Sequence, residues 1–128
     1  MERIRILVID DDPICRKVAS AMLQRLNCCV DCAANGKDAA ELMCRVRYDL
    51  LLLDWVMPYM NGAELTRLVR SGAVGVHHQQ IPIIGVTADL VSSTRERCLE
   101  AGVNEYLSKP VDYKKLALLV AELMSPAC

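Results

Sequence analysis

The sequence lacks three features that mark particular classes of protein: a surplus of one charge, a long apolar run and a secretion signal. Its 15 Lys and Arg residues nearly balance its 16 Asp and Glu residues, so the net charge is −1. This balance excludes the strongly basic surface of an autonomous nucleic-acid-binding domain, but it does not exclude a small basic patch. No apolar run reaches the roughly 18 residues of a membrane-spanning helix, and the N-terminus lacks the apolar region of a signal peptide. We therefore expect a cytoplasmic protein with no direct nucleic-acid partner and no membrane insertion.

Internal repeats, low-complexity segments and interdomain linkers are also absent from the sequence. A chain of 128 residues, of which 53% are hydrophobic, can bury a core without a metal ion or a disulfide. We predict a single domain over residues 1–128. The seven cysteines are an odd number, and Cys15, Cys44 and Cys98 are predicted on the interior faces of helices. There a free cysteine acts as a small hydrophobic residue in a reducing compartment.

Short apolar runs alternate with longer amphipathic stretches along the whole chain, which is typical of an α/β architecture. Because crossovers between parallel strands are right-handed, five such units predict a five-stranded parallel sheet with helices on both faces. Strands are predicted at 4–9, 29–33, 50–53, 81–86 and 103–107, and helices at 13–26, around 39–46, and at 62–71, 92–101 and 112–124. The first helix is predicted to bury a face made of Ile14, Val18, Ala21, Met22, Leu23 and Leu26.

Polar residues follow four of the predicted strands. In open α/β sheets, ligands bind beyond the carboxyl ends of the strands, where the strand order reverses. A lone aspartate at such a position is more often a helix cap, and Asp12, which directly precedes Pro13, is predicted to cap the first helix. Polar residues at the carboxyl ends of four strands nevertheless predict a site at this edge. Its residues are Asp10, Asp11, Asp54, Thr87 and Lys109.

These residue types suit phosphoryl transfer to a carboxylate. The carboxylates of Asp10, Asp11 and Asp54 would repel one another unless a cation neutralised them, and Mg²⁺ accepts such an incomplete oxygen shell. An aspartate can act as a nucleophile that becomes an aspartyl phosphate. Thr87 and Lys109 would then supply a hydroxyl donor and a cation to the phosphoryl oxygens.

Two further motifs have structural interpretations. Cys29 and Cys32 have the spacing of a metal-binding pair, but they lie in a predicted strand with no second pair to complete a zinc site. His77 and His78 lie in the long predicted loop 72–80, where we expect solvated side chains.

Four segments together resemble the receiver domain of the two-component response-regulator family. They are the acidic segment 7–13, the segment 54–58 with Asn61 and Gly62, the strand end 86–88 and the segment 106–110. The resemblance covers essentially the whole chain. It implies a flavodoxin-like (βα)5 fold in which the strand order is 2-1-3-4-5.

The resemblance also implies a role for each site residue. Asp54 is the expected phosphoacceptor, and Thr87 and Lys109 contact the phosphoryl group. Lys109 and Pro110 are joined by a cis peptide bond. Thr87 and Tyr106 move when the domain is activated. The ligands expected for Mg²⁺ are Asp11, Asp54, the backbone carbonyl of Val56 and, largely through water, Asp10.

Partners follow from the same resemblance. The phosphoryl donor is a phosphohistidine on a histidine kinase or a histidine phosphotransfer domain, and the receiver catalyses its own phosphorylation and dephosphorylation. It is therefore a signalling domain and not an enzyme with a separate substrate. Output leaves through the face formed by helix 4, strand 5 and helix 5. Segments 97–102 and 106–110 are similar to receivers of hybrid histidine kinases, which favours a phosphorelay receiver over a free-standing one.

Two positions near the site bear on the lifetime of the phosphoryl group. The residues at the positions of Val56 and Asp89 often vary within the family. Because an apolar Val56 cannot orient a water, we predict a slow to intermediate lifetime of the phosphoryl group.

Two alternative functions fit these residues less well. A metal-dependent phosphate-ester hydrolase would need a general acid beside the nucleophile, and no second aspartate stands two residues after Asp54. A phosphorylation-independent module of receiver fold would not need the intact set of five site residues.

Overall fold

A computed structural model of the protein describes residues 3–56, 60–88 and 92–124. The strands are β1 (Arg5–Ile9), β2 (Cys29–Ala33), β3 (Leu50–Asp54), β4 (Ile83–Thr87) and β5 (Glu105–Ser108). The α-helices are α1 (Pro13–Arg25), α2 (Gly36–Arg45), α3 (Gly62–Arg70), α4 (Ser92–Ala101) and α5 (Tyr113–Met124), with a 3-10 turn at Val76–His78. All ten predicted strands and helices are present, with ends that differ from the prediction by a few residues.

The five strands form one parallel sheet in the order β2-β1-β3-β4-β5, as the resemblance implied. After β1 the chain first crosses to β2 on one side and then returns to β3 on the other. The strand order therefore reverses between β1 and β3. This is the position at which open α/β sheets bind their ligands.

The core has two layers, one on each face of the sheet, because successive residues of a strand point to opposite faces. Leu7, Ile9, Leu51 and Leu53 belong to the layer that contains buried residues of α2 and α3. The residues between them belong to the layer beneath α1 and α5, namely Ile6, Val8, Leu50 and Leu52. Since β1 and β3 are buried on both faces, they are nearly continuous apolar runs. Among the described residues, no helix has the length and apolarity to cross a membrane.

Asp12 caps α1, as predicted. Its carboxylate accepts a hydrogen bond of 2.9 Å from the backbone N–H of Ile14, and Pro13 occupies the first turn, where the missing N–H costs nothing. The carboxylate of Asp112 accepts from the N–H of Lys114 in the same way at the start of α5. These two caps fix the loops that carry the site residues of β1 and β5.

The predicted inner face of α1 is wrong in part. Ile14 is 72% exposed and Val18 is 47% exposed, and Ala21 is also exposed. The helix instead packs through Ala19 and Leu23, which are 7% and 0% exposed. Two apolar stripes with the same four-residue spacing run side by side along α1, so periodicity alone does not choose between them.

The predicted cysteine positions are also corrected. Cys44 is exposed on α2 and Cys15 is only partly buried on α1, so neither is a core residue. The side chain of Cys98 lies outside the described part of the structure. Among the cysteines whose side chains the structure describes, Cys28, which precedes β2, lies within the core.

The expectation that both histidines are solvated is wrong for His78. His77 is exposed, but His78 is 0% exposed. Its Nδ1–H donates to the carbonyl oxygen of Val74 at 2.9 Å, and its Nε2 accepts from the backbone N–H of Tyr48 at 3.0 Å. The ring therefore links the loop before β4 to the loop before β3.

Candidate functional site

The carboxylates of Asp10, Asp11 and Asp54 meet at the carboxyl edge of the sheet. Ile9 and Leu53 are paired in register, so the residues that follow them on β1 and β3 are neighbours. One oxygen of each carboxylate lies within 4.8 Å of the other two. Asp10 and Asp54 are 7% and 6% exposed, whereas Asp11 is exposed. The structure thus brings the three predicted acidic residues together, with one open to solvent.

Lys109 reaches this cluster from the end of β5. Its Nζ lies 3.2 Å from Oδ2 of Asp10 and 3.3 Å from Oδ2 of Asp54. Its backbone N–H donates to the carbonyl oxygen of Thr87 at 2.9 Å, and its peptide bond to Pro110 is cis. Burial lowers the pKa of Lys109, but Asp54 and Asp10 together raise it above its ordinary value. The ammonium is therefore charged at neutral pH.

The charged form of the Asp54 carboxylate is disfavoured by its surroundings. Burial, followed by the charge of Asp10, raises its pKa from 3.8 to about 6, although Lys109 and the backbone N–H of Val56 act in the opposite direction. The ammonium of Lys109 thus compensates only part of the combined cost of burial and of the Asp10 charge.

The residues present fit a magnesium ion. Three carboxylates supply hard oxygen ligands, which Mg²⁺ prefers, and the exposed Asp11 leaves one side of the cluster open to water or a phosphate oxygen. The raised pKa of Asp54 indicates that negative charge at this point is not fully balanced by the protein. A divalent cation would balance it.

The turn between β1 and α1 holds Asp10 in place. Its Oδ1 accepts from the backbone N–H of Asp12 at 2.9 Å, and its own carbonyl accepts from Nη1 of Arg16 at 2.7 Å. The backbone N–H of Asp10 donates to the carbonyl oxygen of Ala33 on β2. Arg16 is a positioning residue that sequence reasoning missed, because a guanidinium bond to a backbone carbonyl leaves no motif.

The remaining predicted residues lie on the same edge or close to it. Thr87 ends β4 and is 3% exposed; it follows Val86, the register partner of Asp54. Tyr106 is partly buried on β5, opposite Gly85. Val56 is 73% exposed, and its N–H is 3.4 Å from Oδ1 of Asp54. The predicted positions at 57, 58 and 89 lie outside the described residues.

Sequence reasoning also missed a cavity of about 370 Å³ that opens beside Asp54. It lies between the sheet, α1 and the loop after β5. Its polar lining residues are Asp10, Asp54 and Lys109, with Cys15 on α1, and the others are apolar. The cavity follows from the way α1 packs on the sheet. Ile14 and Val18 line the cavity and are not buried between the helix and the sheet.

Comparison with solved structures agrees with this geometry. The chain is similar to the receiver domain of sensor histidine kinase PA1611 from Pseudomonas aeruginosa PAO1, a structure with a magnesium ion coordinated in the active site cleft. The two are 34% identical with a TM-score of 0.86, over 97% of this chain and 100% of that one. Vibrio cholerae chemotaxis protein CheY4 has a TM-score of 0.88 over 96% of this chain and 100% of that one. At 24% identity, this second likeness supports the fold alone.

Curated relatives at higher identity are histidine kinases. Sensor histidine kinase RcsC of Escherichia coli is 39% identical over 83% of this chain and 11% of its own length. Hybrid signal transduction histidine kinase M of Dictyostelium discoideum is 36% identical over 93% of this chain and 5% of its own length. The chain thus spans only a small part of these relatives. Since the response regulator receiver domain profile matches residues 6–121, the chain belongs to the response regulator receiver domain family of two-component systems.

Proposed function

We propose that this receiver domain accepts a phosphoryl group on Asp54 from a phosphohistidine and passes the signal on by a change of conformation. The surroundings of the Asp54 carboxylate support this proposal. A buried carboxylate lies at the point where the strand order reverses, with the Lys109 ammonium 3.3 Å away and the oxygens of Asp10 and Asp11 within 4.8 Å. This arrangement suits an acid that acts as a nucleophile toward phosphorus and not as a proton donor.

The transfer is an in-line displacement. An oxygen of the Asp54 carboxylate forms a bond to phosphorus while the bond between phosphorus and the donor imidazole nitrogen breaks. The electron pair of the broken bond stays on that nitrogen, and the free imidazole can take a proton from water. Lys109 lies where its ammonium can neutralise charge on the phosphoryl oxygens. Hydrolysis of the resulting acyl phosphate, by attack of water on phosphorus, restores the Asp54 carboxylate and releases phosphate.

Mg²⁺ fits the same cluster. Asp11, Asp54 and the backbone carbonyl of Val56 would hold it, and Asp10 would do so largely through water. When bound, the ion neutralises the acidic cluster and the charge that develops on the phosphoryl oxygens. Asp12 is occupied by the cap of α1 and is not needed as a ligand.

The switch involves Thr87 and Tyr106. Thr87 is buried at the end of β4. The aromatic residue Tyr106 lies on the adjacent strand β5, two residues before the register partner of Thr87. A phosphoryl group on Asp54 offers acceptor oxygens toward which the Thr87 hydroxyl can move, and Tyr106 turns inward as it does so. The face formed by α4, β5 and α5 then changes and reaches the downstream protein.

The relatives, which are named as histidine kinases, support a phosphohistidine donor of that class. A histidine kinase or a histidine phosphotransfer domain delivers the phosphoryl group to a single receiver domain over residues 1–128. The exposed aliphatic side chains of Ile14 and Val18 beside the site are suited to contact with such a protein. A cytoplasmic location agrees with this chemistry.

Intact mass spectrometry tests the proposal. The protein is incubated with acetyl phosphate and Mg²⁺, in parallel with the variant Asp54→Asn, the control Asp38→Asn and a sample with EDTA. We expect one phosphate adduct on the wild type and on Asp38→Asn, and none on Asp54→Asn or with EDTA. Asp38 is an exposed carboxylate on α2, so it controls for loss of one charge. A folded wild type that takes up no phosphate would favour the phosphorylation-independent module.

A further inference from the structure

The α3–β4 turn, residues 72–81, is built on local hydrogen bonds. The backbone N–H groups of Gly75, His78, Gln79 and Ile81 each donate to the carbonyl oxygen three residues earlier, at 3.0–3.1 Å. Gly75 has a φ of 114°, which a glycine adopts without strain. These bonds shape the turn but do not attach it to the sheet. The position of the turn therefore depends on its side chains.

His78 attaches the α3–β4 turn to the loop before β3. Its buried ring donates from Nδ1–H to the carbonyl oxygen of Val74 and accepts at Nε2 from the backbone N–H of Tyr48. The rings of His78 and Tyr48 are stacked, with their centroids 6.2 Å apart. Because a carbonyl only accepts and a backbone N–H only donates, both bonds require the neutral imidazole with its proton on Nδ1.

The surroundings of the ring disfavour its charged form. Burial is the main factor that lowers the pKa of His78, and the charges of His77 and Arg47 act in the same direction, against the bond to the backbone carbonyl. From α3, the guanidinium of Arg70 binds two carbonyl oxygens of the same turn. The carboxylate of Asp31 on β2 accepts from the hydroxyl of Tyr48 at 2.8 Å. The bonds of the ring are thus to the backbone, and the charges that act on it are positive.

We propose that His78 is a pH-sensitive switch, which holds the α3–β4 turn against the loop before β3 at neutral pH and releases it in acid while the sheet stays folded. A proton added to Nε2 points at the backbone N–H of Tyr48, so that two donors face each other. The charged ring therefore leaves its buried position for water. Release also exposes the side chains of Val74 and Tyr48, which are buried in the closed form.

The switch lies at the amino edge of the sheet, whereas Asp54 lies at the carboxyl edge. His78 and Tyr48 belong to the segments that lead into β4 and β3, and Asp54 ends β3. Release of the turn needs no phosphoryl group and no metal ion. The inference therefore does not depend on the proposed function of Asp54, and the two can fail separately.

Linkage gives the size of the effect. The released imidazole has its ordinary pKa of 6.5, whereas the closed ring stays neutral, so release becomes more favourable as the pH falls below 6.5. Between pH 7.5 and pH 5 the equilibrium constant for release should rise roughly 30-fold. Asp54, whose pKa is about 6, has the opposite effect, because protonation of its buried carboxyl group stabilises the folded protein as the pH falls. The two groups are distinguished by this sign.

Hydrogen exchange followed by NMR measures the release at the amide of Tyr48. The unphosphorylated wild type is compared at pH 7.5 and pH 5 with His78→Gln, which can accept from that amide but takes up no proton, and with the control His77→Gln. After correction for the pH dependence of intrinsic exchange, the Tyr48 amide should exchange roughly 30-fold faster at pH 5 in the wild type and in His77→Gln. The amides of β1 and β3 should show no such increase, and neither should His78→Gln.

A measurement on the wild type alone keeps the test independent of how His78→Gln folds. Nitrogen-15 NMR of the His78 ring at pH 7.5 should show a protonated Nδ1 and an unprotonated Nε2. A ring protonated on Nε2 in the closed form would overturn the proposal. Exchange of the Tyr48 amide that does not change between pH 7.5 and pH 5 would do so as well. An equal acceleration in β1 and β3 would also overturn it, because the change would then be global unfolding.

Discussion

Replacing Asp54 by Asn is expected to stabilise the metal-free protein at neutral pH. Burial, followed by the charge of Asp10, raises the pKa of Asp54 from 3.8 to about 6. A carboxyl group whose pKa is raised on folding contributes stability that is complete below pH 3.8 and is lost as the pH rises through 6. The shift of about 2 pKa units corresponds to about 3 kcal/mol, at roughly 1.4 kcal/mol for each unit. Asn resembles the protonated carboxyl group in shape and avoids this loss.

Urea unfolding in EDTA measures the effect. At pH 7.5 the free energy of unfolding of Asp54→Asn should exceed that of the wild type by up to about 3 kcal/mol. The difference should shrink as the pH is lowered from 7.5 toward 4.5, since the wild-type carboxylate then takes up its proton. Mg²⁺ should narrow the difference at pH 7.5, because it binds the folded wild type through Asp54. The control Asp38→Asn should show no such gain. This prediction is wrong if the variant is no more stable than the wild type at pH 7.5 in EDTA.

Two further predictions concern the amino-terminal side of the sheet. His78→Leu should lower the free energy of unfolding at pH 7.5 by about 1–3 kcal/mol, because it leaves the N–H of Tyr48 without its buried acceptor, whereas His77→Gln should have little effect. Burial lowers the pKa of His78, so the stability it contributes is present above pH 6.5 and is lost at lower pH. His78→Leu should therefore flatten the pH dependence of urea unfolding between pH 7 and 5. Arg70→Lys should lower the melting temperature, since the Arg70 guanidinium makes hydrogen bonds to three backbone carbonyls and to one side-chain amide that a lysine cannot reproduce. The control Arg67→Lys lies on the exposed side of the same helix and should leave the melting temperature unchanged.

The site was predictable because its residues follow strands that are themselves easy to recognise. Asp10 and Asp54 each come directly after a continuous apolar run, and parallel strands bring their carboxyl ends to one edge. Alternation of strands and helices predicts that edge but not which strands are neighbours. The pairing of β1 with β3, which places the two carboxylates side by side, came from the resemblance to the receiver family.

Features that depend on distant partners were not predictable. His78 is buried because its ring binds the backbone of Tyr48, 30 residues earlier, and no local pattern indicates that contact. The prediction of the buried face of α1 was wrong for a different reason. Its two apolar stripes fit the helical period equally well, and the sheet and the loop at Val111 decide which of them is covered. The cavity beside Asp54 is a consequence of that choice.

The proposed function requires that Asp54, and not one of its acidic neighbours, accepts the phosphoryl group. Borohydride reduction of the protein phosphorylated with acetyl phosphate and Mg²⁺, followed by peptide mass spectrometry, tests it directly, since the reduction converts a phosphorylated aspartate to homoserine. We expect homoserine at position 54 alone. Homoserine at Asp10 or Asp11, or at no position in a protein that carries a phosphate adduct, would contradict it.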